Sequence, residues 1–231
     1  MEIAPGVSDV YWEKLRQYLD PSDPDRTATL ENVMIKAWDK AIEIFKLRIE
    51  TRFIKPINLL LKIHEYHKNS FENESNPETR ASINLERIRP GFATLALDFI
   101  ILETIQGFRQ GKRNHDHESK DLIKAALVRN KEFSVKSYDV AEDIYKEYRC
   151  QVTHKGQTDG KVTISDKGSN LFENNDGEKM LNRTKFHEAV CDSFYRYCRE
   201  LKYQDKSRLR KNFINKMDSI CGIKEKGEVV G

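Results

Sequence analysis

No two of the four cysteines in this 231-residue chain (Cys150, Cys191, Cys198 and Cys221) form a Cys-x-x-Cys pair. That lack argues against a zinc ribbon or a redox dithiol and leaves free thiols, expected to be buried in a reducing cytosol. The first ten residues have no basic segment followed by an apolar run, so no signal peptide is expected. No apolar segment approaches the roughly 20 residues that a bilayer span needs. Charge of one sign is missing too: Lys+Arg 40 against Asp+Glu 37 leaves a formal charge of +3. That is too little to argue for a nucleic-acid partner in bulk, so any basic surface has to be local. Internal repeats and low-complexity segments are also lacking. The expectation is a soluble, cytoplasmic protein with no membrane, metal or cofactor.

What is there is helix. After the turn cluster at Asp20–Asp25, apolar residues recur at helical spacing from Leu30 through Trp38, Phe45 and Phe53. Pro56 should kink or divide that helix near Lys55. The polar stretch Asn69 to Ser82 reads as a loop. Pro90 then opens the most apolar stretch, Gly91 to Phe108, a helix buried on several sides in which Asp98 and Glu103 stand out as charges. A short helix is expected over Asp121 to Val128, and an amphipathic one over Asp139 to Thr153. After Gly156 the period changes. Lys161 to Ser165 alternates as a strand does, with Gly168 turning toward Asn170-Leu171-Phe172 as a small hairpin. Asn182 or Thr184 caps a further helix through Leu201. The division expected is a short N-terminal arm or helix (1–28), a helical domain (29–203) and a basic C-terminal helix with a frayed tail (204–231).

The most informative residues are Arg149-Cys150-Gln151-Val152-Thr153-His154, followed by Lys155-Gly156. Arginine supplies a permanent bidentate cation, and histidine exchanges protons near neutral pH. Together they furnish what RNA cleavage by 2′-hydroxyl attack needs without a metal. On a regular helix two residues five apart are rotated by about 140°, so the pair suits a helix end, where Gly156 can stop the screw. One histidine cannot be acid and base at once, which favours two copies brought together.

This motif, on a helix with Tyr145 and Tyr148, resembles the Arg-x4–6-His signature of the HEPN superfamily. Arg52 to Ile57, the helix from Gly91-Phe92 through Glu103-Thr104 to Phe108-Arg109, and Asn182 to Phe186 are also similar to segments of uncharacterised bacterial HEPN-like proteins. Together the similar segments cover Phe45 to Leu201. The resemblance implies an all-α helical bundle with a small β-hairpin insertion after the motif helix, and a homodimer with a composite site. It also implies a metal-independent endoribonuclease acting on RNA, in a toxin or anti-phage setting, with an antitoxin or regulatory protein as a further partner. Arg149 and His154 would be catalytic, with Glu103, Cys150, Gln151 and Lys155 in support. Cys150, Gln151 and Thr153 depart from the residues expected there, which favours the alternative of a non-catalytic module binding nucleotide, RNA or a protein.

Other groups carry blander readings. Glu103 could instead pair structurally with Arg109 or another cation. His115-Asp116-His117-Glu118 with Asp121 reads as a solvated loop before a metal cluster, and His64 with His67 lacks a third ligand. His187 reads as structural. The run Lys206, Arg208, Arg210, Lys211 and Lys216 reads as a solvated face before an RNA contact.

Overall fold

A helix apolar around most of its circumference must be covered on several sides, and that requirement organises the chain. The computed structural model describes residues 1–19, 28–86, 89–114, 117–152, 162–175, 178–203 and 207–223. The chain begins with β1 (Glu2–Ala4), β2 (Val7–Ser8), α1 (Asp9–Arg16) and α2 (Ala28–Ile49). A π-helical turn (Glu50–Ile54) leads to α3 (Lys55–Asn73), α4 (Pro77–Glu86), α5 (Gly91–Gln110) and α6 (Ser119–Arg129). Next come α7 (Tyr138–Ile144), a second π-helical turn (Tyr145–Cys150), β3 (Val162–Ser165), β4 (Phe172–Asn175) and β5 (Glu178–Asn182). α8 (Arg183–Tyr203) and α9 (Ser207–Ile220) close the fold. The protein is mostly helical with small sheets, compatible with an all-α class.

α5 packs against α3, α6, α8, α9 and the second π turn, and it buries residues from Thr94 to Arg109. By length and composition it does reach what a membrane crossing requires, contrary to the expectation from the sequence. Its apolarity is used inside the protein, against neighbouring helices. At its C-terminal half Phe108 meets Phe45 of α2 with ring centroids 4.5 Å apart. Phe45 also touches Phe194 and Tyr197 of α8 at 5.6 and 5.8 Å and Phe213 of α9 at 5.6 Å. One side chain thus joins four helices. α9 is part of this core: Phe213 and Met217 are fully buried, and Asp218 accepts hydrogen bonds from Trp12 Nε1 (2.9 Å) and Arg16 Nε (2.6 Å) of α1.

Several local expectations need correction. The stretch Asn69 to Ser82 is not a loop, because α3 runs to Asn73 and α4 starts at Pro77. The Asn76 carboxamide oxygen accepts from the N–H groups of Glu78 (2.9 Å) and Thr79 (3.3 Å), and Pro77 needs no partner there. What read as loop composition is a helix cap followed by proline in the first turn. The β element is a three-stranded sheet and not one hairpin. β3 runs parallel to β5, with Val162 opposite Lys179, and β4 is antiparallel to β5 on its other edge. Between β3 and β4 the chain turns at Gly168 (φ +105°), where a Cβ would fall 2.8 Å from Glu173. The Asn182 side chain donates to the Lys167 and Gly168 carbonyls (3.1 and 3.2 Å) and so fixes that crossing. The same residue accepts from Lys185 N (3.1 Å) and caps α8, one of the two caps expected.

Phe45→Ala should cost about 3–5 kcal/mol, since it removes the ring shared by four helices. Ile35→Ala, at an exposed position of α2, should change stability by less than about 0.5 kcal/mol. Denaturant unfolding of the two variants checks both.

Candidate active site at the second π turn

Ser137 opens α7 by accepting from Val140 N at 3.3 Å, and the regular helix lasts only to Ile144. The expected uninterrupted amphipathic helix is therefore corrected: Tyr145 to Cys150 form a π turn. A π turn pairs residues five apart, which sets Cys150 over Tyr145. Such inserted turns are frequent at functional sites. The turn is held from below by Tyr148, which is buried and lies 6.4 Å from the ring of Phe172 on β4. Glu147 is tied to Lys179 of β5.

Arg149, near the end of the turn, meets two other elements. Its Nη2 donates to the Ser119 hydroxyl at 3.3 Å, and that hydroxyl donates to Glu103 Oε2 at 2.6 Å. The guanidinium also lies over the Tyr145 ring, 5.5 Å from its centroid. The central helix, the start of α6 and the π turn thus meet in one polar relay. Glu103 is not the partner of Arg109, which pairs with Glu200 at 2.5 Å and stacks on Tyr197. Burial raises the Tyr145 phenol above its ordinary range, against the lowering effect of Arg149 beside it.

Next to the relay, Lys120, Lys124 and Lys146 converge on Glu142 at 2.8, 2.7 and 2.8 Å. Hydrogen bonds from Lys120, then Lys124 and Lys146, hold the Glu142 carboxyl well below the usual carboxylate range. Three lysines from two elements thus gather on one carboxylate, a clustering that the nearly neutral total conceals.

Of the residues expected from the sequence, Glu103, Arg149 and Cys150 come together. Gln151 follows them, its Oε1 buried without a hydrogen-bond partner among the described residues. His154 and Lys155 lie outside the described residues, as do His115 and Asp116. Among the described residues no group of three His, Cys, Asp or Glu side chains could hold a metal. Ser119 and Tyr145 were missed. A serine opening a helix reads as a cap, yet the Ser119 hydroxyl is used between Glu103 and Arg149. Tyr145 looks like one more residue of an apolar face. The basic run near the C-terminus divides: Arg208 and Lys211 are exposed, whereas Arg210 donates to the Leu201 carbonyl (3.1 Å) and covers Trp38, and Lys216 is buried and donates to the Arg113 carbonyl (3.2 Å); Lys206 lies outside the described residues.

A second polar constellation lies deeper. His187 Nδ1 is 2.7 Å from Asp98 Oδ1, and Cys191 Sγ is 3.5 Å from His187 Nε2. The order Cys–His–Asp suits a nucleophile with its base, but His187 and Asp98 are buried and the pair joins α8 to α5 within the core. Burial pushes the Asp98 carboxyl up to about 6. Burial alone would lower His187, but the hydrogen bond to Asp98 outweighs it and raises the imidazole to about 10. His187 is therefore an imidazolium at neutral pH, as a structural reading allows. No family model, curated protein or solved structure matches the chain.

The His187 contribution to stability should be fully present below about pH 6.5, the unfolded value, and should be lost as pH rises toward about 10. His187→Gln should remove that alkaline loss and cost about 3–5 kcal/mol at neutral pH by leaving Asp98 buried and alone. Thermal unfolding of both proteins across that range is the check, and parallel pH profiles would contradict it.

Proposed function

We propose that the protein is a metal-independent endoribonuclease of HEPN type that cleaves RNA by 2′-hydroxyl attack. The observation that carries this reading is the relay from Glu103 through Ser119 to Arg149. A phosphate-binding arginine gains from being held in one orientation, because its two N–H groups then face the pentavalent phosphate without rearrangement. Ser119, itself bonded to Glu103, fixes the guanidinium on one edge, and Tyr145 supports its face. Lys120 and Lys124 on α6 and Lys146 on the second π turn, gathered around Glu142, supply cations beside it for the flanking backbone phosphates.

In this mechanism His154 takes the 2′-hydroxyl proton, the hydroxyl oxygen attacks phosphorus, and the leaving 5′-oxygen is protonated by the equivalent histidine of a second copy. Arg149 neutralises the charge that builds on the non-bridging oxygens. The products are a 2′,3′-cyclic phosphate and a 5′-hydroxyl. The composite homodimer, and an antitoxin or regulatory protein acting on it, belong to this same proposal.

RNA cleavage by the purified chain in excess EDTA, with product ends mapped, tests the proposal. Wild type should give cyclic-phosphate ends, and Arg149→Ala and His154→Ala should each lower the rate by about 100-fold or more. Ser119→Ala should lower it by about 10-fold, through loss of one orienting bond. Equal cleavage by wild type and His154→Ala would remove the mechanism, and RNA binding without turnover would favour the non-catalytic module.

A further inference from the structure

A cleft of about 490 Å³ opens where the N-terminus of α5 meets β3 and the start of α8. Three features of its wall have complementary chemistry. The first is a set of cations. Arg183 lines the cleft, with its side chain 9% exposed, and Arg89 lies on the rim. Among the described residues of the wall Asp166 is the one carboxylate, and its Oδ2 lies 3.4 Å from each of Arg183 Nη2 and His64 Nε2. Lys68, outside the wall, approaches the same oxygen at 3.4 Å.

The second feature is the beginning of α5. Pro90 precedes it and supplies no side-chain cap. The first-turn N–H groups of a helix have no acceptor within the helix and carry its positive dipole end, which suits an anion. Gly91 lets Arg183 and β3 approach that end closely: a Cβ there would lie 3.3 Å from Ile164 and 3.8 Å from Arg183 Nη1. The third is Phe92 on the same wall, 39% exposed, an aromatic face at a place where burial would otherwise be expected.

Cations with free backbone N–H groups recognise phosphate, and an exposed ring beside them recognises a base. A cleft of this volume falls in the range that holds a small organic ligand. We propose that the cleft binds a nucleoside phosphate, with the phosphate on Arg183, Arg89 and the α5 N-terminus and the base stacked on Phe92. The nucleotide is either free or one unit of an RNA strand. The lining residues do not include Arg149, Glu103 or Ser119, so the site stands apart from the ribonuclease reading and survives its failure.

Calorimetric titration of the full chain at low salt with AMP, inorganic phosphate, adenosine and a single-stranded RNA tetranucleotide tests this. AMP or the tetranucleotide should saturate, and phosphate and adenosine should each bind at least about 10-fold more weakly. Arg89→Glu and Phe92→Ala, both at exposed positions that leave the thermal midpoint in place, should each weaken that binding by about 10-fold. Preference for AMP identifies a free nucleotide, and preference for the tetranucleotide identifies a unit of RNA. The proposal is overturned if neither saturates up to about 1 mM, if either variant binds as wild type does, or if phosphate alone binds as tightly.

Discussion

The burial of α5 on several sides is the constraint from which the rest of this structure follows. Its length of 20 residues and its largely apolar circumference require cover, which α3, α6, α8, α9 and the second π turn supply, leaving Phe92 and Ile100 exposed. Each covering element arrives with a specific anchor. α2, α8 and α9 meet α5 through the Phe45, Phe108, Phe194 and Phe213 rings. α8 adds the Asp98–His187 pair, in which a buried carboxylate is balanced by a charge of opposite sign. Removing either partner would strand the other in the core, so that pair fixes the rotation of α8 about α5 more firmly than apolar contacts could.

How far this was legible in the residues depends on what carried each feature. The central helix and the cap at Asn182 were legible because apolar periodicity and capping chemistry are local. The division near Pro56 was visible too, since α3 begins at Lys55 after the first π turn. α4 was misread because Asn76-Pro77-Glu78 has loop composition, and only the geometry shows the Asn76 side chain capping a helix. The sheet was misread because parallel pairing of β3 with β5 is set by residues about 15 positions away, through Asn182 and the Lys167 and Gly168 carbonyls. No window of sequence contains that information.

The site divides in the same manner. Arg149 and Glu103 were both singled out, one by its spacing from His154 and the other as a charge in an apolar helix. Their meeting was not visible, because it runs through Ser119, 16 positions from Glu103 and 30 from Arg149. The π turn also lay beyond the residues, since Tyr145 to Cys150 have ordinary helical composition. Charge was the least legible property. Nearly equal numbers of bases and acids, 40 and 37, are consistent with a bland surface and with the gathering of Lys120, Lys124 and Lys146 on Glu142. The basic run toward the C-terminus read as a solvated face, which holds for Arg208 and Lys211, but Arg210 caps α8 and Lys216 enters the core.

Both candidate sites are built on the same rod. Glu103 lies 12 residues along α5 from Gly91, about 18 Å on a straight helix, and Asp98 sits between them. The partner of Asp98, His187, follows Arg183 by one turn of α8, and Arg183 lines the cleft. A group bound at the N-terminus of α5 therefore presses on two helices whose relative rotation is already locked by the buried ion pair. Such a lock limits the freedom of the cleft and of the Arg149 relay alike. A side chain held in place at both ends of a rigid helix needs little ordering when a phosphate arrives, and that saving in entropy is what preorganisation contributes to binding and to catalysis. The buried pair is thus the point at which stability and the proposed chemistry meet.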